Sequence, residues 1–217
     1  MEIAILAYDH MTALDAVGPY EVLSRLPGAE TVFAGVRRGP VRCDTGSLAI
    51  VVDAALEEVL SPDVLVVPGW SGSKQETLLA PGRIRDWICS VDDHTTWTAS
   101  TGTGAIVLAA AGLLMGRHAA THWLVADWLS DLGALPTARR IVRDGKYLTA
   151  AGSAGLDMAL TLAADVAGAR SAEAIQLLLE HDPAPPFDAG SVDRAPAEVV
   201  ASMRAVRDYI VLGGPAA

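Results

Sequence analysis

The chain has 217 residues, of which 51% are hydrophobic, and it carries a formal net charge of −10 at pH 7. This length and composition favour a single globular domain over residues 1–217 with a sizeable core. The negative charge argues against nucleic acid and anionic membranes as partners. Two cysteines are too few for a disulfide framework, and the five histidines are scattered along the chain, so we predict no metal site.

No apolar run reaches the roughly 18 residues that a membrane span requires. Residues 1–8 lack a basic segment, and their apolar run is too short for a signal peptide. We therefore expect a first β-strand at this place and a cytoplasmic protein.

Strand and helix patterns alternate along the rest of the chain. Strands are predicted over residues 3–8, 31–36, 63–67 and 94–98, and hairpins over residues 41–52 and 141–149. Helices are predicted over residues 12–26 (broken at Gly18-Pro19), 53–60, 81–91, 105–114, 121–132, 155–166, 172–180 and 196–210. Residues 182–186 form a stiff extended segment, and residues 213–215 a loose tail. The alternation predicts an α/β fold with helices on both faces of one sheet.

In such sheets, ligands bind outside the carboxyl ends of the strands. Three of these ends carry candidate residues, namely Asp15, Gly69-Trp70 and Gly102-Thr103. At the third, a strand turns sharply into a helix whose first turn favours a negatively charged atom. This is the geometry of a nucleophile elbow, but Gly102 at its tip offers no nucleophilic side chain.

Two rival motifs are weaker. Residues 102–107 follow a strand and open a helix like a dinucleotide fingerprint, but Val107 stands where that fingerprint needs a third glycine. Ser71 and Ser153 lie in glycine-rich turns, and neither completes G-x-S-x-G with the right flanks. Neither Cys43 nor Cys89 lies in a motif that would activate a thiol, so we expect both to be inert.

The combination of motifs resembles the ThiJ/PfpI superfamily, and within it the isonitrile hydratase branch. The matching stretches are residues 14–19, 66–69, 103–105, 110–114, 120–123, 142–145 and 183–187. The resemblance implies a flavodoxin-like parallel-rich sheet, a homodimer and no cofactor. It also implies the addition of water to R–N≡C to give an N-formamide, through a cysteine at the elbow, a carboxylate on the first helix and the threonine after the cysteine.

Carried onto this chain, the resemblance makes Asp15 the carboxylate and Thr103 the threonine, both catalytic. It places Gly69, Trp70, Gly102 and His122 in the substrate-binding site, with Gly102 in the position of the cysteine. The family also has a second glycine where Trp70 stands, and one more residue around residues 152–155.

Each of these residues also has a structural interpretation. Asp15 fits a capping box at the start of its own helix, Thr103 fits a helix N-cap, and His122 fits a helix start. Trp70 either walls an apolar pocket or packs at a dimer contact. Gly102 either leaves room for a ligand or serves the backbone alone.

The predicted function is a cofactor-free hydration, lyase or isomerase reaction on a small, largely apolar substrate. Because Gly102 cannot attack, Asp15 would activate water above it by acid/base chemistry, and the amides of residues 69, 70 and 103 would hold developing negative charge. The alternatives are a catalytically dead ligand-binding or regulatory protein, and an engineered Cys-to-Gly variant of an isonitrile hydratase.

Overall fold

The computed structural model describes residues 1–72 and 78–212. Its strands are β1 (Glu2–Leu6), β2 (Glu30–Gly35), β3 (Gly39–Arg42), β4 (Ala49–Val52), β5 (Ala54–Ala55), β6 (Val64–Val67), β7 (Trp97–Thr101), β8 (His118–Ala119), β9 (Leu135–Pro136), β10 (Ile141–Asp144) and β11 (Tyr147–Ala150). Its helices are α1 (Ala13–Leu23), α2 (Arg83–Asp92), α3 (Gly104–Ala110), α4 (Ala126–Asp131), α5 (Gly155–Ala167), α6 (Ala169–Leu178), α7 (Ala197–Ala205) and α8 (Arg207–Leu212).

Seven strands form one sheet in the order β10-β11-β7-β6-β1-β2-β5, and only β10 runs antiparallel to its neighbour. The chain places β2 on one side of β1 and β6 on the other, so the strand order reverses between β1 and β6. Ligand sites of open α/β sheets lie at the carboxyl ends of strands beside such a reversal. The parallel-rich α/β prediction is confirmed.

The central strand β6 is buried along its whole length, as its continuous apolar run predicts. Its residues pair with β1 on one side and β7 on the other, in the registers Ala4 with Leu65 and Leu65 with Thr98. The carboxyl ends of these three strands therefore meet at one edge.

The helix α1, which carries Asp15, is continuous, so the break predicted at Gly18-Pro19 is wrong. Pro19 lies inside α1. Its missing N–H would have bonded to the carbonyl of Asp15, four residues earlier. The Thr101 hydroxyl donates to that carbonyl instead, at 2.9 Å, so the helix loses a bond without leaving a buried acceptor unsatisfied.

Other boundaries differ from prediction where tertiary pairing outweighs the local pattern. Residues 53–60 form β5 and a single 3₁₀ turn, because Ala54 and Ala55 pair with β2. The helix expected over residues 105–114 ends at Ala110, and Gly112 with φ +83° follows it. The helix expected over residues 196–210 is divided into α7 and α8. Residues 213–215 lie outside the described part of the chain.

None of the helices that the structure describes is both long and apolar enough to span a bilayer.

Candidate active site

Helix α1 brings Asp15 to the carboxyl ends of β6 and β7. The hydrogen bond from the Thr101 hydroxyl to the Asp15 carbonyl links the first turn of α1 to the last residue of β7. The Gly69 N–H, just after β6, donates to Asp15 Oδ2 at 3.1 Å. A Cβ on residue 69 would lie 2.5 Å from that oxygen, so only glycine allows this approach. Asp15 is thereby held between two strand ends and is 5% exposed.

The capping-box interpretation of Asp15 is wrong. Thr12 is the N-cap residue of α1, and its side chain makes no capping hydrogen bond. The Thr12 N–H donates to the Gly69 carbonyl at 2.8 Å, which leaves the Asp15 carboxyl free of its own helix start. The carboxyl accepts its hydrogen bond from the Gly69 N–H, after β6, and not from the Thr12 N–H.

Gly102 faces this carboxyl directly. Its φ of +54° is a left-handed conformation that glycine adopts without strain. A Cβ on residue 102 would overlap Asp15 Oδ2 and lie 3.1 Å from Asp15 Cγ. The absent side chain does not leave the room above Gly102 that the sequence analysis predicted for water, because the Asp15 carboxyl already fills it.

The backbone of Gly102 is held on both sides. Its N–H donates to the Ala150 carbonyl at 2.9 Å. Its carbonyl accepts from the Thr121 hydroxyl at 3.0 Å and from the His122 N–H at 3.2 Å. Three hydrogen bonds therefore hold the backbone opposite Asp15, although this position carries no functional group.

Burial raises the pKa of Asp15 to about 7. The hydrogen bond from Gly69 lowers the pKa and the negative charge of Asp44 raises it, and neither outweighs burial. Near neutral pH the carboxyl is thus present in both its acid and its base form. Nearby, burial and the charges of Asp15 and Asp44 raise the pKa of Tyr8, whose hydroxyl donates to the Pro68 carbonyl at 2.6 Å.

Thr103 binds the donor loop and does not cap its helix. The Trp70 N–H donates to Thr103 Oγ1 at 2.7 Å, and Oγ1 donates back to the Trp70 carbonyl at 3.0 Å. Its side chain makes no capping bond at α3. The amides of Gly69 and Trp70, expected to hold developing charge, are thus already bonded to Asp15 and Thr103 respectively.

The Trp70 ring is covered by the last helix. Its Nε1 donates to the Val211 carbonyl at 3.3 Å, and the ring is 4% exposed. The next two residues extend the contact, since Ser71 Oγ at 3.0 Å and the Gly72 N–H at 2.7 Å both donate to the Ile210 carbonyl. Trp70 lines neither of the two cavities next to His122.

His122 caps the 3₁₀ turn that follows it, because its Nδ1 accepts from the Leu124 N–H at 3.3 Å. Burial lowers the pKa of this imidazole, so it is neutral at pH 7. The ring also lines two cavities. The larger, a cleft of about 700 Å³, is lined among others by Thr121, Ser153, Arg139, Arg140 and Arg194. The smaller is an apolar chamber of about 200 Å³.

The residues that position the candidate site are not among those predicted from the sequence. Thr101 holds the Asp15 carbonyl and Thr121 holds the Gly102 carbonyl. Thr121 lies in the matching stretch 120–123, but no local pattern assigns either hydroxyl this role. One sequence signal could have indicated such a donor: Pro19 lies four residues after Asp15 and lacks an N–H, so the Asp15 carbonyl needs a donor from outside the helix. For both cysteines, burial raises the pKa of the thiol, which favours the unreactive form.

The fold and this edge define an α/β protein with a strand-turn-helix site at the reversal of its strand order. The sequence pattern of the DJ-1/PfpI family matches residues 1–165, and the chain belongs to that family. A crystal structure of a THiJ/PfpI family protein from Pseudomonas syringae has a TM-score of 0.91 to this chain at 36% identity, covering 94% of this chain and 85% of that one.

Two curated relatives differ in kind. The chain is 40% identical over 205 residues to an isonitrile hydratase of Pseudomonas putida, and the aligned region covers 94% of this chain and 89% of the relative. It is also 32% identical over 133 residues to the HTH-type transcriptional regulator CdhR of Pseudomonas aeruginosa, which covers 60% of this chain and 38% of the regulator.

Proposed function

We propose that this protein hydrates small isonitriles to N-substituted formamides, with Asp15 as both the acid and the base. The observation that supports it most strongly is the position of the Asp15 carboxyl, which occupies the space of a side chain on residue 102. Similarity to an isonitrile hydratase over nearly the whole chain supplies the substrate class.

The proton balance of this reaction suits one carboxyl group. The terminal carbon of R–N≡C carries a lone pair, so the neutral acid form of Asp15 donates its proton there. Water then adds to the resulting nitrilium carbon and returns a proton to the Asp15 carboxylate. The product, HC(OH)=N–R, tautomerises to R–NH–CHO, and Asp15 is again protonated. A pKa of about 7 suits a group that must both give and take a proton at neutral pH.

The hydrogen bonds around Asp15 decide which oxygen reacts. The Gly69 N–H binds Oδ2, the oxygen that faces Gly102. Within residues 1–72 and 78–212, Oδ1 accepts no hydrogen bond, so we assign proton transfer to it. Thr103 stabilises the loop after Gly69 indirectly, because its hydroxyl binds both the main-chain N–H and the main-chain carbonyl of Trp70.

A second candidate function is binding without catalysis, as in a regulatory protein. The engaged amides of Gly69 and Trp70 favour it, since a bound substrate would have to displace Asp15 or Thr103 to reach them. The similarity to a transcriptional regulator over part of its length points the same way.

The same proposal includes a homodimer in the cytoplasm that acts on a small molecule without a cofactor. Sedimentation velocity at micromolar concentration tests the dimer, and a monomer under all conditions would refute that part alone.

The deciding experiment measures formamide formation from cyclohexyl isonitrile by the wild type and two variants. Asp15→Asn retains an oxygen for the Gly69 N–H, so turnover should fall by at least ~100-fold with little change in melting temperature. Asp15→Ala should lose both turnover and the buried hydrogen bond. The exposed Asp131→Asn is the matched control and should react like the wild type. Normal turnover by Asp15→Asn would refute the mechanism, and binding of the isonitrile without turnover by the wild type would favour the second candidate.

A further inference from the structure

The larger cavity beside His122 has a lining that the proposed reaction does not use. We call it the arginine cleft, after the three arginines that line it, Arg139, Arg140 and Arg194. Its volume of about 700 Å³ lies within the range of about 300–1,000 Å³ that is usual for ligand pockets. An isonitrile is neutral and offers a guanidinium no charged partner, so the hydration of isonitriles does not account for these three side chains.

Two of the three arginines are oriented by residues outside the lining. Asp157 Oδ2 accepts from Arg140 Nε at 2.8 Å and lies 2.8 Å from Arg140 Nη2. Arg194 Nε donates to Ser191 Oγ at 3.3 Å, and its Nη1 lies 2.8 Å from Asp188 Oδ1. A guanidinium is planar and carries more N–H groups than these bonds use. Within residues 1–72 and 78–212, Arg140 Nη1 and Arg194 Nη2 have no acceptor.

The third arginine supplies charge without a partner. The exposed side chain of Arg139 makes no ion pair and no hydrogen bond with the described residues. Asp193 is the one carboxylate in the described lining, and burial lowers the pKa of His122, so its imidazole is neutral at pH 7. The lining therefore has an excess of positive charge, although the whole chain has a net charge of −10. Such a cleft attracts anions.

Hydrocarbon makes up another part of the same lining, from Trp123, Ala126, Pro136 and Val192. A ligand that joins an oxyanion to a short apolar body matches both parts. The oxyanion accepts charge-assisted hydrogen bonds from the guanidinium planes, and the apolar body covers hydrocarbon that is otherwise wet. The exposed hydroxyl of Ser153, which has no partner among the described residues, adds a further donor.

We propose that the arginine cleft binds a small organic anion, with its carboxylate or phosphate group on the arginines and its apolar body against Trp123. This inference does not depend on the hydration of isonitriles. The cleft adjoins the elbow, because the hydroxyl of Thr121 in its lining donates to the Gly102 carbonyl at 3.0 Å. Asp15 does not line the cleft, so a bound anion lies beside the backbone of the elbow without touching the carboxyl.

Titration calorimetry at pH 7 and low salt, with benzoate, phenyl phosphate and the neutral benzamide, tests the charge of the ligand. We expect at least one of the two anions to bind, and benzamide to bind at least about tenfold more weakly because it keeps the shape and lacks the charge. Binding of benzoate alone identifies a carboxylate ligand, binding of phenyl phosphate alone identifies a phosphate ligand, and binding of both shows that the cleft accepts either oxyanion. Failure of both anions to bind, or equal binding of benzamide, would overturn the inference.

Arginine variants test the place of binding. Arg139→Gln should weaken the binding of the anion at least about fivefold, and Arg139→Lys should lie between this variant and the wild type, because lysine keeps the charge and loses the planar donors. Arg170→Gln is the matched control, since Arg170 on α6 is exposed, makes no ion pair with the described residues and does not line the cleft. It should bind the anion like the wild type. Equal losses for Arg139→Gln and Arg170→Gln would show a response to net charge alone and refute the site. The calorimetry needs no turnover, so its result stands apart from that of the formamide assay.

Discussion

Asp15 and Gly102 form one unit at the scale of the residue. The carboxyl of Asp15 takes the space that a side chain on residue 102 would need, and the Gly69 N–H holds it there. Position 102 therefore needs glycine for two separate reasons: its φ is positive, and the Asp15 carboxyl fills the space that a Cβ would take. These two requirements are separable by substitution.

We expect Gly102→Ala to reduce the free energy of unfolding by about 2–4 kcal/mol, because it adds backbone strain and also forces the Asp15 carboxyl from Gly69. Gly28→Ala is the matched control, since Gly28 has φ +72° with no atom within 4 Å of an added Cβ. Gly28→Ala should reduce the free energy of unfolding by only ~1–2 kcal/mol, the cost of a left-handed conformation for alanine. Urea unfolding of both variants measures the difference, and equal losses would show that Asp15 does not occupy the space above residue 102.

At the scale of the element, the loop after β6 is held from two sides. Thr103, at the start of α3, binds the Trp70 peptide, and α8 binds the Trp70 indole, Ser71 and Gly72 through its last carbonyls. The sequence pattern of the family ends at residue 165, so the contact with α8 comes from beyond the matched region. The last helix is therefore a part of the site's framework.

The double variant Trp70→Phe/Ser71→Ala removes two of the hydrogen bonds to α8 and retains most of the ring's bulk. Each bond is worth about 0.5–1.5 kcal/mol, so amide hydrogen exchange in α8 should become at least about fivefold faster, while exchange in β6 stays the same. Ser202→Ala is the control, because its hydroxyl binds only the Val199 carbonyl within α7. Unchanged exchange in α8 would mean that the loop does not hold this helix.

At the scale of the whole molecule, the raised pKa of Asp15 links folding to pH. A folded-state pKa of about 7, above the ordinary 3.8, means that the folded protein binds this proton more tightly than the unfolded chain does. The stability from Asp15 is therefore complete below about pH 4 and is lost as the pH rises through about 7. Burial raises this pKa, so the protein loses stability at higher pH because a buried carboxylate becomes charged at the edge of the sheet.

We expect the melting temperature of the wild type to fall relative to that of Asp15→Asn as the pH rises from 5 to 8, because Asn is neutral throughout. Glu58→Gln is the control. Its pKa is lowered by the hydrogen bond from Arg38, so Glu58 stays ionised over this whole interval and its difference from the wild type should be constant. Calorimetry at four pH values tests this, and a constant difference between the wild type and Asp15→Asn would contradict a raised pKa at Asp15.

Local patterns in the sequence determined the layered architecture and the three strand ends that carry the candidate site. The run Val64–Val67 is apolar at every position, short and rich in β-branched residues, which favours a buried central strand. The elbow could also be predicted, because a β-branched strand, a glycine and an apolar helix succeed one another within a few residues. These features depend on neighbours in the chain, so their physical causes are visible in the sequence.

Only the tertiary structure decided what the site contains. Pro19 weakens a helix locally, yet α1 continues because Thr101, distant in sequence, supplies the missing donor. Thr12 and Asp15 have the spacing of a capping box, yet Gly69 takes the carboxyl. The space above Gly102 is filled by Asp15. In each case two segments compete for one hydrogen-bonding group or one small volume, and the outcome depends on distances that the chain acquires only when it folds.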